Sequence, residues 1–217
     1  MNKKKTAIIF AATVLALLLA VYLLYVFNYI PHAKYSGEDF GISRYISSRD
    51  ADSDGVDDQS DILASAKEYV SSEPKYKSKY YAGGYPDDGC GVCTDVVAFA
   101  LRGAGYDLME LVNEDIYSNR ESYDVQVVDK NIDFRRVRNL NVFFARNAES
   151  LTTDISRIEE WQGGDIVVFD GHIGIVSDAR NRRGVPFVIH HANPYQARYE
   201  EDILENRDDI VAHYRFG

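Results

Sequence analysis

Both cysteines of the chain, Cys90 and Cys93, lie in the stretch Gly89 to Asp95 (GCGVCTD), and His172, His190 and His191 follow downstream. Three chemistries could use this set. A C-x-x-C pair can exchange disulfides through its first thiol. The two cysteines with His190 and His191 supply the donors of a Cys2His2 zinc site, although adjacent residues on a strand point to opposite faces. Alternatively, Cys93 acts as a nucleophile. That requires it to open a helix, whose unpaired N–H groups and dipole favour a thiolate, and a histidine to take its proton. His172 and His190 qualify if they sit at the neighbouring ends of two antiparallel strands. His191 would then be exposed, His213 would sit on the sheet surface, and His32 would lie at the membrane end.

A second group is Asp50 to Asp61 (DADSDGVDDQSD). Asp50, Asp52, Asp54, Asp58 and Asp61 occupy the first, third, fifth, ninth and twelfth places around Gly55 at the sixth, and the Val56 carbonyl falls at the seventh. A hard cation gathers six to eight oxygens from such a loop, so structural calcium is the expected cofactor, with none for catalysis. The loop ends in Asp61 where an EF-hand has Glu, and it looks closer to the dockerin or thrombospondin type. A solvated acidic linker is the alternative.

The elements that must position these groups follow from periodicity. Ile62, Leu63, Ala66, Tyr69 and Val70 mark a helix leaving the acidic loop, and residues 76–88 are turn-rich and irregular. Val96 to Leu101 mark a helix that begins close to Cys93 and stops at Gly103 or Gly105, with Asp95 as a helix-start charge. Another helix covers Leu108 to Tyr117. Ile166–Phe169, Ile173–Val176, Phe187–His190 and Ile210–Tyr214 read as strands of an antiparallel meander. Helices followed by strands make an α+β domain.

Thr6 to Ile30 contains no charged residue and is long enough to cross a bilayer, with Tyr22, Tyr25 and Tyr29 at its far end. Lys3, Lys4 and Lys5 before it assign the N-terminus to the cytoplasm and the body to the outer side. The apolar run is too long for a cleaved signal peptide. The expected organisation is a cytoplasmic tip at 1–5, a membrane anchor at 6–30, a polar tether at 31–48, the acidic loop at 49–61 and a catalytic domain at 62–217. The formal charge of −10 argues against a nucleic-acid partner.

The ordered blocks Tyr80-Tyr81-Ala82-Gly83-Gly84, Cys93-Thr94, Gly164-Asp165-Ile166-Val167-Val168-Phe169, His172-Ile173-Gly174-Ile175 and Ile189-His190 resemble the NlpC/P60 superfamily of papain-like cysteine peptidases and amidases. The finer resemblance, carried by GYPDDGCGVCTDVV, NIDFRRVRNLNVFF, WQGGDIVVF, GHIGIVSD and the terminal HYRF, is to the DUF1287 (YijF-like) family. It implies a papain-like α+β fold with Cys93 as nucleophile, His172 as base, His190 as the orienting third residue and Tyr80 bordering the nucleophile. The implied activity is hydrolysis of an amide bond in cell-wall (peptidoglycan) peptides. Arg135 and Arg136 are candidates for a substrate carboxylate, or else structural partners of acids such as Asp133. The chain departs from the NlpC/P60 pattern in having Val92, where Asp usually precedes the nucleophile, and in carrying Cys90. A thiol–disulfide oxidoreductase using Cys90 and Cys93, and a non-catalytic calcium-dependent wall-binding module, are the alternatives. A Cys90–Cys93 disulfide would silence the nucleophile.

Overall fold

The computed structural model describes residues 3–217, so Met1 and Asn2 of the expected tip lie outside the described residues. The chain divides into two units, the first ending at Ala33 and the second running from Lys34 to Gly217. The first unit is built on helix α1 (Lys3–Val26), which has no charged residue beyond Lys5 and is long and apolar enough to cross a membrane.

In the second unit a helical half precedes a sheet, giving an α+β arrangement. The helices are α2 (Asp58–Ser71), α3 (Cys93–Gly103), α4 (Leu108–Ser118), the single turn α5 (Lys130–Asp133) and α6 (Val137–Asn147). Two short strands, β1 (Lys75–Tyr76) and β2 (Cys90–Gly91), pair in parallel within the loop region before α3. The main sheet consists of β3 (Glu149–Ser150), β4 (Ile166–Phe169), β5 (His172–Arg180), β6 (Pro186–Ile189), β7 (Glu200–Glu201) and β8 (Ile210–Arg215), all antiparallel, in the order β3-β8-β4-β5-β6-β7.

The expected meander holds for β4, β5 and β6 but not for the last strand. The two-residue β7 takes the place beside β6, and β8 returns to pair with the far side of β4. That makes β4 a central strand covered on both faces, which explains its unbroken apolar run. Ile166 and Val168 join Val96, Val97, Leu101 and Leu140 in the core under the helices. Val167 and Phe169 point the other way, into a smaller cluster with Trp161, Val188 and Leu204.

From Lys34 on, the stretch expected to be a tether is an integral part of the second unit. Tyr35 exchanges backbone hydrogen bonds with Arg180 on β5, the Tyr45 N–H donates to Gln162 Oε1 at 3.1 Å, and the Ser47 N–H donates to Asp57 Oδ1 at 2.9 Å. The physical reason is that its polar backbone finds buried partners there.

His213 also departs from expectation. It is buried on β8, stacked on the Trp161 ring at 3.9 Å, and hydrogen-bonded through Nε2 to Asp165 at 3.0 Å. Asp165 further accepts from Arg215, Gln59 and the Gln162 N–H, so the Gly-Asp before β4 is a structural hub.

Candidate functional site

Cys93 is the first residue of α3. Val92 before it is extended and has no side-chain oxygen with which to cap the helix. Asp95 compensates by accepting from the Val92 N–H at 2.8 Å. Arg135 in turn grips Asp95 through two hydrogen bonds, Nε to Oδ1 at 2.6 Å and Nη2 to Oδ2 at 2.8 Å, and gives a third to the Lys79 carbonyl at 2.7 Å. The start of α3 is thereby tied to two loops.

The thiols of Cys93 and Cys90 are both half-buried. Burial pushes the Cys93 thiol up to about 11, opposed by the backbone N–H groups of Ile173, Thr94 and Cys93 itself. The Ile173 contact sets the Cys93 thiol against the start of β5, one residue from His172.

His172 Nε2 lies 3.0 Å from His190 Nδ1, and His190 Nε2 lies 3.1 Å from Glu201 Oε2 on β7. Of the two adjacent histidines it is thus His190 that meets His172. Gly174 permits the approach: a Cβ there would stand 2.6 Å from Val188 Cγ1 and 3.1 Å from His190 Cβ. Burial, with the neighbouring His190 and Arg207 charges, pushes His172 down to about 3; burial and Arg207 do the same to His190. Both rings are neutral near pH 7. Among the described residues no hydrogen bond joins the Cys93 thiol to an imidazole. Catalytic hydrogen bonds are often long in the absence of substrate.

His191 is buried, where it was expected to be exposed. Its ring lies edge-on to Tyr76 at 5.2 Å and to Tyr199 at 5.0 Å. Its ring turns to these tyrosines and not to His172, and no group of His and Cys donors converges on a metal among the described residues.

The remaining candidates separate by exposure. Arg135 is buried with its donors engaged by Asp95 and Lys79, so it is a structural residue and not a free carboxylate clamp. Its acid partner is Asp95, not Asp133. Arg136 is exposed and loosely paired with Asp133 at 3.8 Å. Tyr80 is exposed, its hydroxyl accepting from Asn131 at 3.3 Å.

In the acidic loop, oxygens of Asp50, Asp52 and Asp54 lie within 4.8 Å of one another. Asp61 faces the same cluster. Burial, then the charges of Asp54, Asp52, Asp57 and Asp50, raise its pKa, and its Oδ2 is buried without a partner. Asp58 does not join them. It is buried, accepting from the Ala51 N–H at 2.8 Å and from the Tyr106 hydroxyl, because the ninth place of the loop has become the first turn of α2. The Val56 N–H donates to Asp54 Oδ1 at 2.8 Å.

Glu201 is the residue that periodicity did not single out. Its strand is two residues long, and neither hydrophobic alternation nor a motif marks it.

A thiol at a helix start, against the backbone of the strand that carries one histidine of a hydrogen-bonded pair, is the site the fold defines, and the family can now be stated. The model of DUF1287, a domain of unknown function, matches residues 63–216, and the chain belongs to that family. The match contains Cys93, His172, His190 and Glu201 and leaves the acidic loop outside. Over 153 residues the chain is 40% identical to "Uncharacterized protein YijF" of Escherichia coli (strain K12), covering 66% of this chain and 73% of that protein. No solved structure matches.

Proposed function

We propose that this chain is a membrane-anchored cysteine hydrolase of the papain-like NlpC/P60 type, cleaving an amide bond in cell-wall peptides on the outer face of the membrane. The observation that carries the reading is the thiol of Cys93 at the first residue of α3, against the Ile173 backbone one residue after His172, which is itself paired with His190. The cell-wall substrate rests on the NlpC/P60 resemblance and on a span that would hold the body near the wall.

The resting state is a neutral thiol beside a neutral imidazole. Catalysis therefore begins with proton transfer: the thiol proton passes to His172 as sulfur attacks the amide carbonyl. The N–H groups at the start of α3 are oriented to hold the oxyanion. The imidazolium then gives its proton to the departing amine, and a water molecule, deprotonated by His172, resolves the thioester. Among the arginines proposed for the substrate, exposed Arg136 retains that role and Tyr80 borders the approach. Incubating the full chain in detergent with purified cell wall tests the reading by the appearance of new amine groups. If none appear under any reducing condition, the reading is wrong.

Calcium belongs to the same proposal as a structural ion. The clustered oxygens of Asp50, Asp52 and Asp54 and the orphaned Oδ2 of Asp61 fit a hard divalent cation, with Asp58 outside the set. A cation bound only by the folded chain raises its melting temperature. Adding chelator should lower it, Asp52→Asn should reproduce the drop, and identical melts with and without chelator would exclude the ion.

A further inference from the structure

We propose that Glu201 is a positioning residue that selects the reactive tautomer of His172 by acting through His190. The inference rests on the hydrolase reading above and deepens it.

The argument is one of donors and acceptors. The ring nitrogens of His172 and His190 that face each other, Nε2 and Nδ1, share one hydrogen between them. If His190 carries its hydrogen on Nε2, it donates to the Glu201 carboxylate, its Nδ1 accepts from His172 Nε2–H, and His172 Nδ1 is left as a bare lone pair able to take the thiol proton. If His190 carries its hydrogen on Nδ1, every bond reverses. His172 Nε2 becomes the acceptor, His172 holds a hydrogen on Nδ1, and it cannot act as a base.

The structure contains a candidate partner for each arrangement. Glu201 Oε2 at 3.1 Å from His190 Nε2, as a carboxylate, is an acceptor and selects the first. Gln196 Nε2 at 3.4 Å from the same nitrogen is a donor and would support the second. Its orientation is fixed, because Gln196 Oε1 accepts from the Ala192 N–H at 2.6 Å while Nε2 donates to the His190 carbonyl at 3.1 Å. Glu201 also accepts from Gln196 Nε2 at 3.3 Å, which draws that donor off the imidazole. A carboxylate at this point further favours the imidazolium formed in the first step. Arg207, Asp209 and His191 also bear on His172, and none of them supplies an acceptor to His190.

Neighbouring Glu200 provides the control. It accepts from Ser177 and pairs with Lys34, away from both imidazoles.

The test uses the full chain in detergent as wild type, Glu201→Gln, Glu201→Asp and Glu200→Gln, with thermal melts confirming folding. Three quantities are measured: wall-peptide cleavage, the rate of Cys93 alkylation by iodoacetamide against pH, and the ring tautomers from long-range proton–nitrogen spectra. Wild type should show His172 and His190 both protonated on Nε2. Glu201→Gln should move His190 toward the Nδ1–H form, shift the alkylation profile to higher pH and cut cleavage by about 10²-fold or more. Glu201→Asp should restore part of each, and Glu200→Gln should change none. Wild-type tautomers and an unshifted alkylation profile in folded Glu201→Gln would overturn the proposal, whatever the cleavage result. Shifted tautomers and alkylation in a protein that cleaves no wall peptide would instead sustain the relay and remove the hydrolase reading. If Glu201→Gln melts early, Glu201→Asp decides by the same spectra: a wild-type tautomer with an unchanged profile and no intermediate cleavage counts against the relay.

Discussion

Cys93→Ala should bring amine release from purified cell wall down to background, a loss on the order of 10⁴-fold or more, while Cys90→Ala should keep most of it. Cys93 opens α3, where backbone N–H groups partly offset the burial that raises its thiol. Cys90 sits on β2, paired with Lys75 on β1, and belongs to no helix start. In the disulfide-exchange reading the first cysteine of the pair would be the attacking one, so loss of activity on Cys90→Ala, with disulfide reduction as the only measurable reaction, would replace the hydrolase reading. Retention of wall binding in both variants without any cleavage would support the binding module.

Arg135→Met should destabilise the domain by about 3–5 kcal/mol, the range for leaving a buried charge without its partner. Both side chains of the Asp95–Arg135 pair are almost fully out of solvent, at 0% and 2% exposure. The variant also removes the donor to the Lys79 carbonyl and loosens Asp95, which holds the Val92 N–H at the start of α3 beside Cys93. The comparison is Arg136→Met, one residue away, exposed at 47% and 3.8 Å from its acid. That change should stay within about 0.5 kcal/mol. Urea unfolding midpoints decide between them, and equal effects would mean that Asp95 keeps another cation when Arg135 is lost.

The sequence was most legible where one local rule acted alone. The helix starting at Cys93, the strand beginning at His172 and the membrane-length helix follow from periodicity and run length. Legibility failed where long-range contacts decided. Arg135 reads like a surface arginine, and only its meeting with the first turn of α3, 40 residues earlier in the chain, turns it into the clasp of that helix. His213 reads as half of an alternating surface pattern until Trp161 and Asp165 close over it. Asp58 fits the ninth place of a cation loop by spacing alone, yet the helix begins there and its carboxylate turns to Tyr106. Glu201 is invisible for the same reason: its meaning comes from the strand that lies beside β6.

The buried neutral histidines have a consequence for the molecule as a proton sink. Unfolded, His172, His190 and His191 would take up protons near 6.5; folded, burial holds the first two off until about 3 and the third until about 4. Below pH 6.5 the unfolded chain therefore binds protons that the folded one refuses, and stability falls with pH until the folded values are reached. Asp165, which burial would raise but His213 and Arg215 hold low, adds its own loss only below the usual carboxylate value of 3.8. Melting temperatures should thus decline in two stages on acidification, first through histidine and then through carboxylate protonation. A melting temperature that stays level between pH 6.5 and 4 would show that the rings are not held neutral. Two of these three imidazoles are the ones the proposed reaction requires, so acid lability and catalytic competence would share His172 and His190.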